Sequence, residues 1–159
     1  MKFKQDYKLE ENFWINEFLD NRDMETPSHI HILNIAKTAK VMQRFRDALG
    51  RCDITSGFRG KVWNRDKRVN GSVNSYHLDG LAIDFQRYND KGVIDWGTWT
   101  PETLFAVANI VGFNNIGVYV NSSGRIIWVH VDLGKQWPDG TVGGWKKYSD
   151  TMSCRVVRV

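Results

Sequence analysis

Two segments of the chain alternate between apolar and other residues, and this alternation constrains the fold more than any other feature. They are residues 81–87 (LAIDFQR) and 125–133 (RIIWVHVDL). Because successive side chains of a β-strand point to opposite faces of the sheet, each segment predicts a strand with one buried face. The predicted apolar face of the second strand consists of Ile127, Val129, Val131 and Leu133. Trp128, His130 and Asp132 then share the opposite face.

The ionisable pair His130 and Asp132 gives the second strand two interpretations. A rigid strand with a core behind it is a suitable support for a functional site. The same pattern is typical of the solvent-facing side of an edge strand. The strand by itself leaves both interpretations open.

Start and stop signals for helices lie on both sides of these strands. Ser28 and Gly50 fit the N-cap and the stop of one helix, and Thr100, Pro101 and Gly112 fit a second. The predicted elements are helices over 9–20, 29–49 and 100–111, strands over 52–56, 81–87, 116–120 and 125–133, a loop over 57–76, a hairpin turn at 121–124, and a short edge strand at 155–159 (RVVRV). We expect one α+β domain over residues 1–159, with a small antiparallel sheet and flanking helices.

Size and composition bound the class of protein. With 159 residues, 42% hydrophobic and 25% charged, the chain can bury a core, and neither disorder nor a fibrous repeat is indicated. No segment reaches the roughly 18 apolar residues that cross a membrane, so we expect no membrane insertion. The net charge of +4 favours encounters with anionic partners such as nucleic acid or the bacterial wall, without choosing between them. The basic stretch 59–68 (RGKVWNRDKR) is either a solvated loop or a substrate-facing patch.

The N-terminal sequence and the cysteines favour synthesis in the cytoplasm. The opening residues MKFKQDYKLEENFW lack the apolar run of a signal peptide. The two cysteines, Cys52 and Cys154, form no CxxC pair, and free thiols fit a reducing compartment, although a disulfide between them stays open. If a protein made there acts on a target outside the cell, such as the cell wall, something else must deliver it.

Further ionisable residues that could form a site lie in residues 75–84 (SYHLDGLAID). His77 precedes the first strand, and Asp84 projects from that strand's non-core face. A catalytic zinc ion takes three protein ligands from histidines and carboxylates and leaves one position for water. His77, Asp84 and His130 provide such a set from two neighbouring strands.

The motifs around these residues resemble a known family. The string SxHxxGxAxD at 75–84, followed by WVHVD at 128–132, is similar to the zinc D-Ala-D-Ala carboxypeptidases and murein endopeptidases. That family includes phage L-alanyl-D-glutamate endolysins and shares its fold with the hedgehog signalling domain. SGFR at 56–59 resembles the family's SGYR element, and the likeness extends over about 28–134.

The resemblance implies a division of roles. One zinc ion would be bound by His77, Asp84 and His130, where it would activate a water and polarise the scissile carbonyl. Arg59 would hold the developing oxyanion or a substrate carboxylate, a role that suits a permanently charged guanidinium. The alternative for Arg59 is a cation of a surface loop.

The chain departs from the family at one position. Many relatives carry an acidic general base three residues before the last histidine ligand, and here that position is Ile127, which cannot accept a proton. Asp132, beside His130 on the metal-facing side, is the substitute. It is either the general base or the residue that orients His130, and the sequence leaves both roles open.

The expected function is a zinc-dependent peptidase that hydrolyses peptide bonds of peptidoglycan stems or cross-links, as an endolysin released through a holin or as a virion-borne wall hydrolase. The alternative is a zinc-containing wall-binding module with weakened catalysis, which the missing acid at Ile127 favours. A nucleic-acid binder ranks last, because no recognition motif accompanies the basic stretch. Endopeptidase and carboxypeptidase activity are not distinguished.

Overall fold

A six-stranded antiparallel sheet organises the part of the chain that the computed structural model describes, which is residues 6–20, 25–135, 145–149 and 152–158. The helices and strands in these residues are β1 (Lys8–Glu10), β2 (Phe13–Trp14), α1 (His29–Leu49), β3 (Cys52–Ser56), α2 (Lys61–Arg65), β4 (Ala82–Arg87), α3 (Pro101–Val111), β5 (Asn115–Val120), β6 (Ile126–Asp132), β7 (Trp145–Ser149) and β8 (Met152–Arg158). The strand order in the large sheet is β3-β4-β6-β5-β8-β7. The α+β fold with a small antiparallel sheet and flanking helices is therefore confirmed, whereas the domain extent of 1–159 stays a prediction.

One face of the sheet packs on the hydrophobic core. Ile83 and Phe85 of β4 and Val129 of β6 are fully buried there together with Phe45 of α1. The Phe45 ring meets the edge of the Phe85 ring with 5.5 Å between centroids, and it meets Phe113 in the same way at 5.8 Å. The opposite face of β4 and β6 is thus left for polar side chains.

The helix predictions with complete end signals are confirmed. The Ser28 hydroxyl accepts a hydrogen bond from the backbone of α1, which ends before Gly50 at a φ of +87°. In α3 the cap is Thr100, with proline in the first turn and Gly112 after the last. Within the described residues, no helix is long and apolar enough to cross a bilayer.

The predicted helix over residues 9–20 is wrong. The chain forms a short β-hairpin of β1 and β2 there, followed by a single 3₁₀ turn at Ile15–Phe18. Phe13 and Ile15 are buried two residues apart while Trp14 is exposed, which is the period of a strand rather than of an α-helix. Apolar residues at mixed spacing do not distinguish these two structures over so short a segment.

The predicted apolar face of β6 also needs correction at Ile127. In the β5–β6 ladder Tyr119 pairs with Trp128, but Val120 pairs with Ile126, so Ile127 is the additional residue of a β-bulge. Ile126 belongs to the core cluster in its place, and Ile127 is half-buried. Regular pairing with β5 holds from Trp128 to Asp132, so the bulge does not affect the register of His130.

Two further predictions are wrong in part. The loop expected over 57–76 contains the one-turn helix α2, and the strand expected at the edge of the sheet is β8, which pairs with both β5 and β7. Residue 159 and the side chain of Cys154 lie outside the described residues. Cys52 is a free, buried cysteine, and burial raises the pKa of its thiol to about 12.

Substitution of Phe45 by alanine tests the packing that supports the sheet. Because Phe45 is fully buried between Phe85 and Phe113, we expect Phe45→Ala to lower the free energy of unfolding by about 3–5 kcal/mol in urea denaturation. Val62→Ala, at a position that is 84% exposed, is the control and is expected to change it by less than about 0.5 kcal/mol. Equal stability of the two variants would contradict the position of Phe45 in the core.

Candidate metal centre

The register of β4 and β6 brings two predicted site residues together. The strands are antiparallel neighbours, and Asp84 lies directly opposite His130. Residues in this relation have Cβ atoms about 4.5–5.5 Å apart, so their side chains meet on one face of the sheet. On its other side His130 pairs with Gly117 of β5, which places no side chain beside the imidazole.

The third residue, His77, comes from a 3₁₀ turn at Tyr76–Asp79 that directly precedes β4. The Ser75 hydroxyl accepts a hydrogen bond from the backbone of this turn, which ends at Gly80 with a φ of +71°. A Cβ at Gly80 would lie 3.0 Å from the backbone of α1, so both the conformation and the close packing favour glycine. The turn therefore holds the His77 imidazole beside the strand that carries Asp84.

Three potential ligand atoms converge at this point. Nδ1 of His130 lies 2.8 Å from Oδ1 of Asp84, and Nε2 of His77 lies 3.2 Å from each of these two atoms. In a tetrahedral zinc site with bonds of about 2.0–2.1 Å, neighbouring ligand atoms are about 3.3 Å apart. Both the atom types and their spacing fit a single zinc ion. Among the described residues, this is the group of histidines, cysteines and acids close enough to hold a metal.

Hydrogen bonds on the outer side of two of these residues determine which atoms face the centre. Nδ1 of His77 donates to the Gly57 carbonyl oxygen at 2.7 Å, so Nε2 carries the lone pair that points inward. The second carboxylate oxygen of Asp84 accepts a hydrogen bond from Arg59, whose Nε also donates to the Ser56 hydroxyl at 2.8 Å. Asp84 is thus left with one oxygen, Oδ1, for the centre.

The outer side of His130 contacts Asp132. The distance from His130 Nε2 to Asp132 Oδ2 is 3.2 Å. Oδ1 of Asp132 accepts two further hydrogen bonds, from the Asn115 side-chain amide at 2.7 Å and from the Gly134 N–H at 2.8 Å. Asp132 is only 4% exposed, and both of its oxygens are engaged by the protein. This geometry matches the carboxylate–histidine pairs that orient metal ligands.

The electrostatics of the three residues favour a bound cation. Burial lowers the pKa of His77, which keeps its imidazole neutral. Burial acts to raise the pKa of Asp84, but the neighbouring His130 outweighs it and holds this pKa below its usual range. Burial acts to lower the pKa of His130, but Asp132 and Asp84 raise it to about 9. The carboxylates beside His130 therefore stabilise positive charge at this point, and a bound zinc ion would replace the proton on His130.

A family model matches most of the chain. The model described as peptidase M15 matches residues 11–132, which is more than half of the chain and includes all three converging residues. The chain belongs to the peptidase M15 family. The family is zinc-dependent, so the protein is a metallopeptidase by membership, and the resemblance in its motifs is confirmed. A search of curated proteins found no match.

A cleft of about 640 Å³ in this M15 peptidase is connected to the centre through Arg59, which lines the cleft and bonds Asp84. Arg59 and Tyr76 line it, together with the exposed residues Lys61, Asn74 and Lys135. The Tyr76 ring is packed so closely on Gly134 that a Cβ there would lie 2.0 Å from it. His130, with 24% of its side chain exposed, is the most accessible of the three converging residues. The centre thus has access to solvent.

All the predicted site residues lie together, and the structure adds supporting residues that the sequence did not reveal. The Gly57 carbonyl, the Asn115 amide and the Gly134 N–H fix His77 and Asp132 from outside the centre. Gly57 lies within the SGFR element, so the motif gave a local signal for it. No local signal in the sequence indicates Asn115 and Gly134, because their contacts depend on how β5 and the end of β6 pack. Binding of zinc by His77, Asp84 and His130 stays a prediction.

Removal of one converging residue tests zinc binding by this M15 peptidase. We expect one zinc per wild-type chain, and Asp84→Ala to reduce zinc content by at least about tenfold, since it removes an anionic ligand. Metal analysis after dialysis measures the ratio, and circular dichroism checks the fold. The control is His29→Ala, which removes an exposed histidine. A wild-type zinc content in Asp84→Ala would contradict the assignment.

Proposed function

We propose that the protein is a zinc-dependent peptidase that hydrolyses peptide bonds in the stem peptides or cross-links of bacterial peptidoglycan. The observation that carries the proposal is the convergence of His77, Asp84 and His130 beside a cleft in a member of a peptidase family. The net charge of +4 supports encounter with the anionic wall. As part of the same proposal, the protein is a phage endolysin released through a holin or a wall hydrolase carried on the virion.

In this proposal the protein provides a preorganised set of ligands. Nε2 of His77, Nδ1 of His130 and Oδ1 of Asp84 would hold the zinc ion, and hydrogen bonds on their outer sides fix each side chain before the metal arrives. Zinc bound there supplies a Lewis acid and lowers the pKa of a water towards about 7. The partial exposure of His130 supports approach of the substrate from that side.

We assign two roles to Arg59. Its guanidinium bonds the outer oxygen of Asp84, which orients that carboxylate. The same side chain lines the 640 Å³ cleft, where its permanent charge would stabilise an oxyanion that develops on the scissile carbonyl or bind a carboxylate of the stem peptide. Its contacts with Ser56 and Asp84 restrict its motion, which favours such a role over that of a mobile surface cation.

We assign to Asp132 the orientation of His130 rather than the role of general base. A general base needs an oxygen within hydrogen-bonding reach of the attacking water. Both oxygens of Asp132 are already engaged, one by His130 and the other by Asn115 and Gly134. Its position on the outer side of His130 supports the orienting role.

A wall-binding module that holds zinc with weakened catalysis is the second candidate. Two observations favour it. Ile127 occupies the position where many relatives carry the general base, and the carboxylate of Asp132 is engaged by the protein. Such a module would sediment with sacculi without releasing fragments.

Digestion of purified sacculi tests the catalytic proposal against the binding module. We expect the wild-type protein to release soluble muropeptides, a chelator to abolish release and added zinc to restore it, because hydrolysis depends on the metal. Mass spectrometry of the fragments identifies the bond. The control is Asp84→Ala, which should release none. Co-sedimentation with no fragments from sacculi of several wall chemotypes would contradict the peptidase and support the module.

Substitution of Asp132 by asparagine separates its two roles. If Asp132 orients His130, Asp132→Asn should weaken zinc affinity by about 10–100-fold, whereas kcat at saturating zinc should stay within about threefold of wild type. Asn115→Ala removes one partner of Asp132 and should weaken affinity less, in the same direction. Loss of kcat by more than about 100-fold at full zinc occupancy would assign Asp132 the role of general base instead.

A further inference from the structure

A second cavity, of about 440 Å³, lies where the loop before α3 meets the turn between β5 and β6. Ile126, the first residue of β6, forms part of its wall, and His130 follows four residues later. At the rise of an extended strand, their Cα atoms are about 13 Å apart. None of the described residues that line this cavity belongs to the metal centre.

Trp96, one of the residues that line this cavity, carries a buried hydrogen-bond donor that lacks an acceptor among the described residues. Trp96 is only 7% exposed and packs against Phe85, with 5.9 Å between ring centroids. Its indole Nε1 has no hydrogen-bond partner in the part of the chain that is described. By contrast, Nε1 of the buried Trp63 donates to Asp20 at 2.8 Å. Because a buried donor without an acceptor is destabilising, Trp96 is an unsatisfied polar residue beside the cavity.

The other lining groups indicate the chemical class of that ligand. Trp99 is half-buried and contributes a second indole, while Asp95 and the exposed Arg125 contribute an acceptor and a planar set of donors. One acid and one base leave the lining without net charge, which favours a neutral ligand over an anion. Indoles beside a few polar groups suit a sugar, whose C–H face packs on aromatic rings while its hydroxyls form hydrogen bonds.

We propose that this cavity binds a neutral amino-sugar unit of a glycan strand. The proposal rests on the proposed function, since peptidoglycan joins such sugars to the peptides that the metal centre would cut. The separation of about 13 Å is about the length of four extended residues, so a sugar and its own stem peptide can reach both sites. Binding at two sites of one polymer raises the affinity for intact wall above that for a free peptide.

Titration with a soluble tetramer of N-acetylglucosamine tests the site by NMR. We expect the indole N–H resonance of Trp96, identified by its loss in Trp96→Phe, to shift as sugar is added. Trp99→Ala and Arg125→Ala should each raise the Kd about fivefold to tenfold, because they remove an aromatic surface and a set of donors. Arg125 is exposed, so its variant tests the site without disturbing the core.

Matched controls lie outside the cavity. Ile110→Ala removes an 83% exposed apolar side chain from α3, the helix that follows Trp99, and Arg44→Ala removes an exposed arginine from α1. Both should bind the tetramer with the wild-type Kd. An unperturbed Trp96 resonance, or wild-type affinity in both Trp99→Ala and Arg125→Ala, would overturn the sugar site.

Hydrolysis of a soluble stem peptide that carries no sugar separates this inference from the proposed function. We expect Arg125→Ala to cleave this peptide at the wild-type rate. At a limiting enzyme concentration it should digest sacculi more slowly than the wild-type protein does. If the wild type cleaves the peptide but does not respond to the tetramer, the sugar site is contradicted and the proposed peptidase function is supported. If the protein binds the sugar but cleaves neither the peptide nor sacculi, the proposed peptidase function is contradicted and the sugar site is supported.

Discussion

The cross-strand pair of Asp84 and His130 is the contact on which the rest of the site depends. Because β4 and β6 are adjacent and antiparallel, their register alone brings an anionic and an imidazole ligand atom to 2.8 Å. The core face of the same strands, with Ile83, Phe85 and Val129 fully buried, holds that register in place. A slip of one residue in either strand would turn the candidate ligand of that strand towards the core. The packing of the core therefore also fixes the geometry of the candidate metal centre.

Supporting hydrogen bonds convert this pair into an oriented set. Gly57 fixes the tautomer of His77, Arg59 engages the outer oxygen of Asp84, and Asp132 contacts the outer nitrogen of His130. Each ligand side chain thus presents one atom to the centre. Such preorganisation lowers the entropic cost of metal binding, since the side chains are ordered before the ion is bound.

Several parts of the fold could be predicted because their signals are local. Thr100, Pro101 and Gly112 define α3 through capping and backbone conformation, which depend on neighbouring residues only. The candidate ligand set could also be predicted, since His77 and Asp84 stand at fixed spacing on either side of a strand start and His130 lies on an alternating strand.

The remaining features depend on contacts between distant segments. The bulge at Ile127 arises from the register between β5 and β6, so the sequence of β6 gives no sign of it. The role proposed for Asp132 rests on its contact with Asn115, which lies on the neighbouring strand β5 and could not be found from the sequence. In residues 9–20 the mixed apolar spacing fits more than one local structure, and the pairing of β1 with β2 decides between them.

Anomalous diffraction at the zinc edge from crystals of the zinc-loaded protein locates the metal and its ligand atoms. We expect one anomalous peak per chain, at about 2.0–2.2 Å from Nε2 of His77, Nδ1 of His130 and one oxygen of Asp84, with Asp132 outside bonding distance. A peak that lies elsewhere, or one that is bound through Nε2 of His130 or directly by Asp132, would contradict this expectation.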